Sequence, residues 1–261
     1  MDKISLQGIL YDEKSSYLKG PALAPPLIRK AYHSDSANYF AENGIEILPE
    51  HFDDKGDFEI EDYFDIEKIT AKNLESGRPL ITLGGDHSIS FPLLKAFHEF
   101  NGKVDILHID AHSDLYHEFE GDPYSHACPF ARILENNLAN RLVQIGIRTL
   151  SSHQKEQADK FAVEIIQMKD FDSTDLPKFE NPIYLSLDID ALDPAFAPGV
   201  SHHEPGGLST REVLTIIQNI DVPILGADIV EYNPERDIHD MTAMVSAKFL
   251  REIASKIIEK K

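Results

Sequence analysis

Three apolar runs in this chain each end in a cluster of carboxylate and imidazole side chains, and that pattern limits the possible folds more than any other feature. Leu80–Leu83 leads into Gly84-Gly85-Asp86-His87. Val104–Ile109 leads into Asp110-Ala111-His112-Ser113-Asp114. Residues 183–187 lead into Asp188-Ile189-Asp190-Ala191-Leu192-Asp193-Pro194. Short runs with little polar interruption read as strands covered on both faces, which is the habit of parallel sheets. Further strands are expected at residues 45–48, 142–147, 163–166 and Ile224–Val230. Helical period marks residues 60–74, 88–100, 153–161, Thr210–Asn219 and 241–258. Ser209 with Glu212 three residues on is the mark of a capped helix start. Strand–helix alternation of this kind predicts an α/β fold: three layers, α/β/α, with a mainly parallel central sheet.

Ligands of such sheets bind outside the carboxyl ends of the strands. All three clusters are expected there, so Asp110, Asp114, Asp188, Asp190, His87 and His112 should share one edge. Crowded carboxylates repel unless cations lie among them. Alternate residues of an extended chain point the same way, so Asp-x-His-x-Asp can aim three donors at one centre. Oxygen donors with a minority of imidazole suit Mn²⁺ or a related divalent ion, and the donor count predicts two ions per chain.

Composition narrows the alternatives. The 261 residues show no Gly/Ser-rich or Pro-rich linker, so one domain over 1–261 is expected. The single cysteine, Cys128, rules out an internal disulfide and a thiolate-rich zinc or iron–sulfur site. It reads as a small buried thiol. A net charge of −20 excludes a nucleic-acid footprint and is compatible with a small cationic substrate. No apolar run is long enough for a membrane span. The start, Met1-Asp2-Lys3-Ile4-Ser5, has neither a signal-peptide pattern nor the Arg-rich, acid-poor character of a transit peptide. The expectation is a cytoplasmic protein with no membrane partner.

The three clusters resemble the signatures of the ureohydrolase family, which includes arginase, agmatinase and formiminoglutamase. Ser16-Tyr17-Leu18-Lys19-Gly20-Pro21, Gly206-Gly207-Leu208 and Glu231-Tyr232-Asn233-Pro234 extend the resemblance over nearly the whole chain. It implies an arginase-like fold and attack of a metal-bridging hydroxide on a guanidinium carbon. It implies two Mn²⁺ ions, with Ni²⁺ as the alternative. His87 and Asp114 would bind one ion, His112 and Asp190 the other, and Asp110 and Asp188 would bridge them. Asp114 would also orient the hydroxide. His126, in His126-Ala127-Cys128 where the family has His-Gly, would shuttle a proton to the leaving amine. Glu231 would hold the substrate guanidinium. Asp86 and Asp193 read as structural. The resemblance also implies a homotrimer or homohexamer.

The substrate end is read from what is missing. Animal-type arginases place Asn two residues after the position of Asp114, and acidic groups soon after the Gly-x-Arg strand end. Here those places hold Tyr116 and Thr149 to Ser151. Agmatine, which lacks an α-carboxylate, is therefore the first expectation, with putrescine and urea as products. Arginine is the alternative, since Phe119 to Ala127 and Leu192 to His202 look much like plant-type arginases, and another guanidino compound is a further alternative. His202 and His203 lie in the latter loop, where a plain loop role is expected.

Overall fold

The computed structural model describes residues 3–260; Met1 and Asp2, part of the stretch read for a leader, and Lys261 lie outside them. One sheet of eight strands organises the chain: β1 (Ile4–Leu10), β2 (Phe52–Glu59), β3 (Leu80–Leu83), β4 (Val104–Ile109), β5 (Ala139–Ile147), β6 (Glu164–Gln167), β7 (Ile183–Asp188) and β8 (Ile224–Val230). Their spatial order is β2-β1-β3-β8-β7-β4-β5-β6, and every neighbouring pair is parallel. The predicted three layers are present. One helical layer contains α1 (Ala24–Tyr32), α6 (Thr210–Asn219) and α7 (Met241–Glu259); the other contains α2 (Asp65–Leu74), α3 (Ser90–Asn101), α4 (Pro129–Glu135) and α5 (Ser152–Phe161).

Burial follows the pleat. On β4, Leu107 and Ile109 join the core under α6 and α7, while Val104 and Ile106 join the core under α3. All six residues of β4 and of β7 are buried, as strands covered by helices on both faces require. Pro129 opens α4, where its missing N–H costs nothing. Ser209 and Glu212 cap α6 reciprocally, as the sequence predicts. No helix of the described residues is long and apolar enough to cross a membrane.

Two local expectations need correction. Residues 45–48 do not join the sheet. Ala41 and Ile47 instead pair locally with Ile45 and Tyr39, and Pro49 then opens a 3₁₀ turn. The helix expected from residue 60 begins at Asp65, because the Asp62 carboxylate takes the Phe64 N–H and its carbonyl takes the Asp65 N–H in a preceding turn. Four elements absent from the expectations are β1, β2, α1 and α4.

Candidate metal centre and catalytic pocket

The adjacent strands β3, β8, β7 and β4 deliver the predicted residues to one edge. The switch in strand order lies here, because β3 and β4 are separated in space by β8 and β7. His87 Nδ1 lies 3.1 Å from an oxygen of each of Asp110, Asp114 and Asp188. His112 Nδ1 lies 3.0 Å from Asp190 Oδ2 and 3.5 Å from Asp110 Oδ1. Asp110 thus reaches both imidazoles.

The donors converge by turns rather than by the pleat expected for an extended Asp-x-His-x-Asp. β4 ends at Ile109, and Asp110 Oδ1 accepts the His112 N–H at 2.6 Å. Asp188 Oδ1 likewise accepts the Asp190 N–H at 2.7 Å, opening a 3₁₀ turn. Each short side chain folds onto its own backbone two residues on. Asp114 and Glu231 both have positive φ, 49° and 62°, a conformation that non-glycine residues hold only where the surroundings enforce it. Gly85 is one such constraint: a Cβ there would stand 1.7 Å from the Tyr11 carbonyl oxygen. The Glu231 N–H donates to the Gly85 carbonyl at 2.9 Å.

The hydrogen bonds behind the cluster decide which nitrogen faces it. The Ser186 hydroxyl donates to Asp228 Oδ1 at 2.6 Å. Its single proton is then spent, so at 2.9 Å it accepts from His87 Nε2–H. In the neutral ring the Nδ1 of His87 therefore carries a lone pair, aimed at three carboxylates and lacking any hydrogen-bond partner. A buried lone pair aimed at anions fits a cation between them. His108 stands equally close, 2.7 Å from Asp110 Oδ2, but both its nitrogens are engaged. Gln144 Nε2 donates to the Ser113 carbonyl and to His108 Nδ1, so His108 Nε2–H donates to Asp110. His108 orients the carboxylate and is not a free donor.

Electrostatics agree with a site short of positive charge. Burial, with Asp190 and Asp110 beside it, pushes the Asp188 carboxyl well above its ordinary range, and Asp190 is raised too, chiefly by burial. Burial opposes charge on His87 and His112, yet the surrounding carboxylates outweigh it and raise both well above the usual imidazole value. Burial also opposes charge on Asp110, but His108, His112 and His87 hold it well below the carboxylate range. Two divalent cations would relieve the same crowding.

A cavity of about 250 Å³ opens over the cluster. His112, Asp114, Asp188 and Asp190 of the cluster line it, together with His126, Glu231, Ser16, His202, Tyr116, Phe119, Ala127, Thr149 and Gln154. No Lys or Arg lines it among the described residues. Glu231 Oε1 accepts from the His87 N–H and from His126 Nδ1, both at 2.9 Å. Burial opposes the Glu231 charge, but His126 more than compensates and holds its pKa down. His126, despite its own burial, is pushed up to about 9 by Glu231, Asp86 and Asp114.

His202 enters the cavity, its ring 5.4 Å from that of His126, while the exposed His203 turns away to the Pro198 carbonyl. Asp86 reaches no part of the cluster and binds the chain at Lys14 and Ser15. Asp193 ties its own loop through the N–H groups of Ala195 and Gly206. Burial raises the Cys128 thiol to about 12, which rules it out as a nucleophile at neutral pH. Sequence reading assigns no role to Ser186, Asp228, His108 or Gln144. Their signal is one of register: polar residues in strands that are otherwise mostly apolar.

These features match a known family. The arginase family model matches residues 2–255. "Arginase 1, mitochondrial" of Arabidopsis thaliana is 47% identical over an alignment 277 residues long, covering 97% of this chain and 80% of its own length. The solved arginase from Medicago truncatula superposes with a TM-score of 0.93 at 44% identity, covering 98% of this chain and 87% of that one. The agmatine ureohydrolase of Thermoplasma volcanium superposes at 0.87 with 32% identity, covering 99% and 90%. The chain belongs to the arginase family and has its ureohydrolase fold. The cytoplasmic expectation does not stand: the Arabidopsis relative is named mitochondrial, and an N-terminal stretch without transit-peptide character does not outweigh that likeness.

Proposed function

We propose that this chain is an arginase, hydrolysing the guanidinium group of arginine to ornithine and urea. The observation that supports this most is the form of the cavity wall. Glu231 uses Oε1 for His87 and His126, while its other oxygen has no donor among the described residues and the side chain lines the cavity. A carboxylate so placed, above the Asp/His cluster, suits a planar guanidinium with its carbon over that cluster. His126, bonded to the same carboxylate, is placed to hand a proton to the departing amine.

His87 and Asp114 would hold one divalent cation and His112 and Asp190 the other, with Asp110 and Asp188 shared. When bound, the ions supply the activated water and offset the four carboxylates. We assign manganese, because hard oxygen donors predominate, with nickel as the alternative.

Arginine replaces agmatine as the first reading. The agmatine expectation rests on Tyr116 and Thr149 to Ser151 lacking the groups that bind an α-amino acid. In the structure these residues have other tasks. Tyr116 stacks on His153, Thr149 bonds the Ala111 carbonyl, and Ser151 caps α5. Their chemistry excludes one way of binding the amino-acid end, not the substrate itself. The greater likeness to plant arginases than to an agmatine ureohydrolase favours arginine. Urea release from arginine and agmatine, measured side by side after Mn²⁺ loading, tests the reading. Preference for agmatine would overturn the substrate, and urea from neither would overturn the activity.

A further inference from the structure

His126 and Glu231 account for one side of the cavity, but the chain that covers His126 has no role in that account. Residues 12–20 leave β1 and fold across the catalytic edge. Three ties are among those that hold them. The Asp12 carboxylate accepts the N–H groups of Gly20 and Ala22, at 2.7 and 3.2 Å, closing the loop on itself. Fully buried Asp86 accepts the Lys14 N–H at 3.0 Å and the Ser15 hydroxyl at 3.3 Å. The Lys14 carbonyl accepts the N–H of His126 at 3.2 Å, and its ammonium reaches Asp122 at 2.6 Å.

The last tie fixes the loop to the backbone of His126 itself, and it brings Ser16 to the imidazole. The Ser16 N–H and hydroxyl lie 3.2 and 2.7 Å from Nε2. A backbone N–H can only donate, so Nε2 is the acceptor in this arrangement. The ring proton then resides on Nδ1, toward Glu231 at 2.9 Å. The Ser16 hydroxyl also donates to Nε2, leaving its oxygen lone pairs for the cavity it lines.

We propose that Ser16 is a positioning residue for His126: it selects the tautomer with the proton on Nδ1 and holds the Nε2 lone pair at the cavity wall. The inference rests on the reading of His126 as the proton-transfer group. The groups that face this imidazole pull both ways. Glu231 after β8, Asp86 after β3 and Asp114 after β4 favour the charged ring. His202, from the loop after β7, and the two Ser16 donors favour the neutral one. Ser16 is thus a polar contact that favours the neutral ring in an acidic setting.

The test is Ser16→Ala beside Ser16→Thr, in the Mn²⁺-loaded full chain. Urea release from arginine is followed between about pH 6 and pH 10, bracketing the ordinary imidazole range. The His126 limb is identified by its absence in His126→Asn. Ser16→Ala should move that limb up by roughly half to one pH unit, the worth of one hydrogen bond to one protonation state. Turnover below the limb should fall roughly three- to tenfold. Bound manganese and melting temperature should stay unchanged, and Ser16→Thr should restore the wild-type profile. An unmoved limb in Ser16→Ala, or a loss of turnover that Ser16→Thr does not restore, would overturn the inference. A second readout needs no turnover. In ¹⁵N-histidine protein, above the His126 limb, the ring should carry its proton on Nδ1 alone in the wild type, and the imidazolium should persist to higher pH in Ser16→Ala. Identical spectra would overturn the inference even if arginine is not the substrate. Absence of urea from the wild type would instead count against the arginase reading.

Discussion

Ser186→Ala would test whether the cluster binds metal through a tautomer imposed from behind. The Ser186 hydroxyl accepts from His87 Nε2–H at 2.9 Å and donates to Asp228 at 2.6 Å. Alanine leaves a buried imidazole N–H facing a methyl group, while Asp228 keeps the hydroxyls of Ser90 and Tyr184 at 2.9 and 2.8 Å. A buried donor left without a partner costs about 1–3 kcal/mol. His87 can escape that cost by moving its proton to Nδ1, where three carboxylates wait 3.1 Å away. That tautomer cannot bind a cation. Loss of a partner behind a metal-bound histidine costs roughly 10–100-fold in affinity, or about 1.4–2.8 kcal/mol, the same size as the orphaned-donor penalty. Titration of Mn²⁺ against a competing chelator should show one of the two ions weakened by that factor. Ser186→Thr, which keeps the hydroxyl, should bind as the wild type does. The metal-free proteins should differ in melting temperature by only roughly 2–4 °C per kcal/mol of lost stability. Unchanged affinity for both ions in Ser186→Ala would refute the tautomer reasoning.

Other perturbations separate the remaining roles. Asp110→Ala and Asp188→Ala each remove a carboxylate assigned to both ions, so activity and at least one bound ion should be lost; turnover with full metal content would reject the assignment. His126→Ala should cut turnover by roughly 10²–10⁴ while leaving metal bound, and a variant that loses its metal would show the histidine to be structural. Gly85→Ala places a Cβ 1.7 Å from the Tyr11 oxygen, so a clear drop in melting temperature is expected, and a wild-type value would show the backbone to be more compliant than it looks. The Glu231–His126 pair links stability to pH. His126 is raised to about 9, so its contribution is full below the unfolded value of about 6.5 and fades as pH rises through about 9. Glu231 is held low, so its contribution is lost only as pH falls through and below the ordinary carboxylate range. Denaturation of wild type and His126→Ala should therefore converge in stability above about pH 9; a gap that stays constant with pH would contradict the pairing.

The centre of the sheet and the gathering of its Asp and His residues at one edge were legible because both depend on local chemistry. Val104–Ile109, Thr210–Asn219 and Ile224–Val230 have the expected bounds, since uninterrupted apolar runs and a capping box leave little freedom. The edge was less legible. β2 reads FDDKGDFE, with only Phe52 buried, and its carboxylates Asp54 and Asp57 bind Arg29 of α1, a pairing visible only once both elements are placed. α4 has only seven residues, too short for a helical period to show, yet it supplies Phe130, whose ring stacks on His108 at 3.9 Å. The agmatine expectation has another basis. It took Tyr116 and Thr149 to Ser151 as places where the groups for an α-amino acid are missing, although in the structure the hydrogen bonds and stacking of Tyr116, Thr149 and Ser151 belong to the fold.

What ties the sheet to the site is a row of polar residues that only strand pairing brings together. Gln7, Thr82, Asp228, Ser186, His108 and Gln144 are successive partners across β1, β3, β8, β7, β4 and β5, and all are buried. Six polar side chains on one face of a covered sheet would be a large desolvation cost if left unpaired. They are bonded in sets: Gln7 to Thr82, Asp228 to Ser186, and Gln144 to His108. The middle members reach upward, Ser186 to His87 and His108 to Asp110. A slip of one residue in β7 or β4 would turn Ser186 or His108 to the opposite face and leave His87 or Asp110 unsupported. The register that buries Leu185 and Leu107 on one face is therefore the same register that orients the candidate metal donors from the other. In this chain, packing of the core and presentation of the site follow from a single choice of strand alignment.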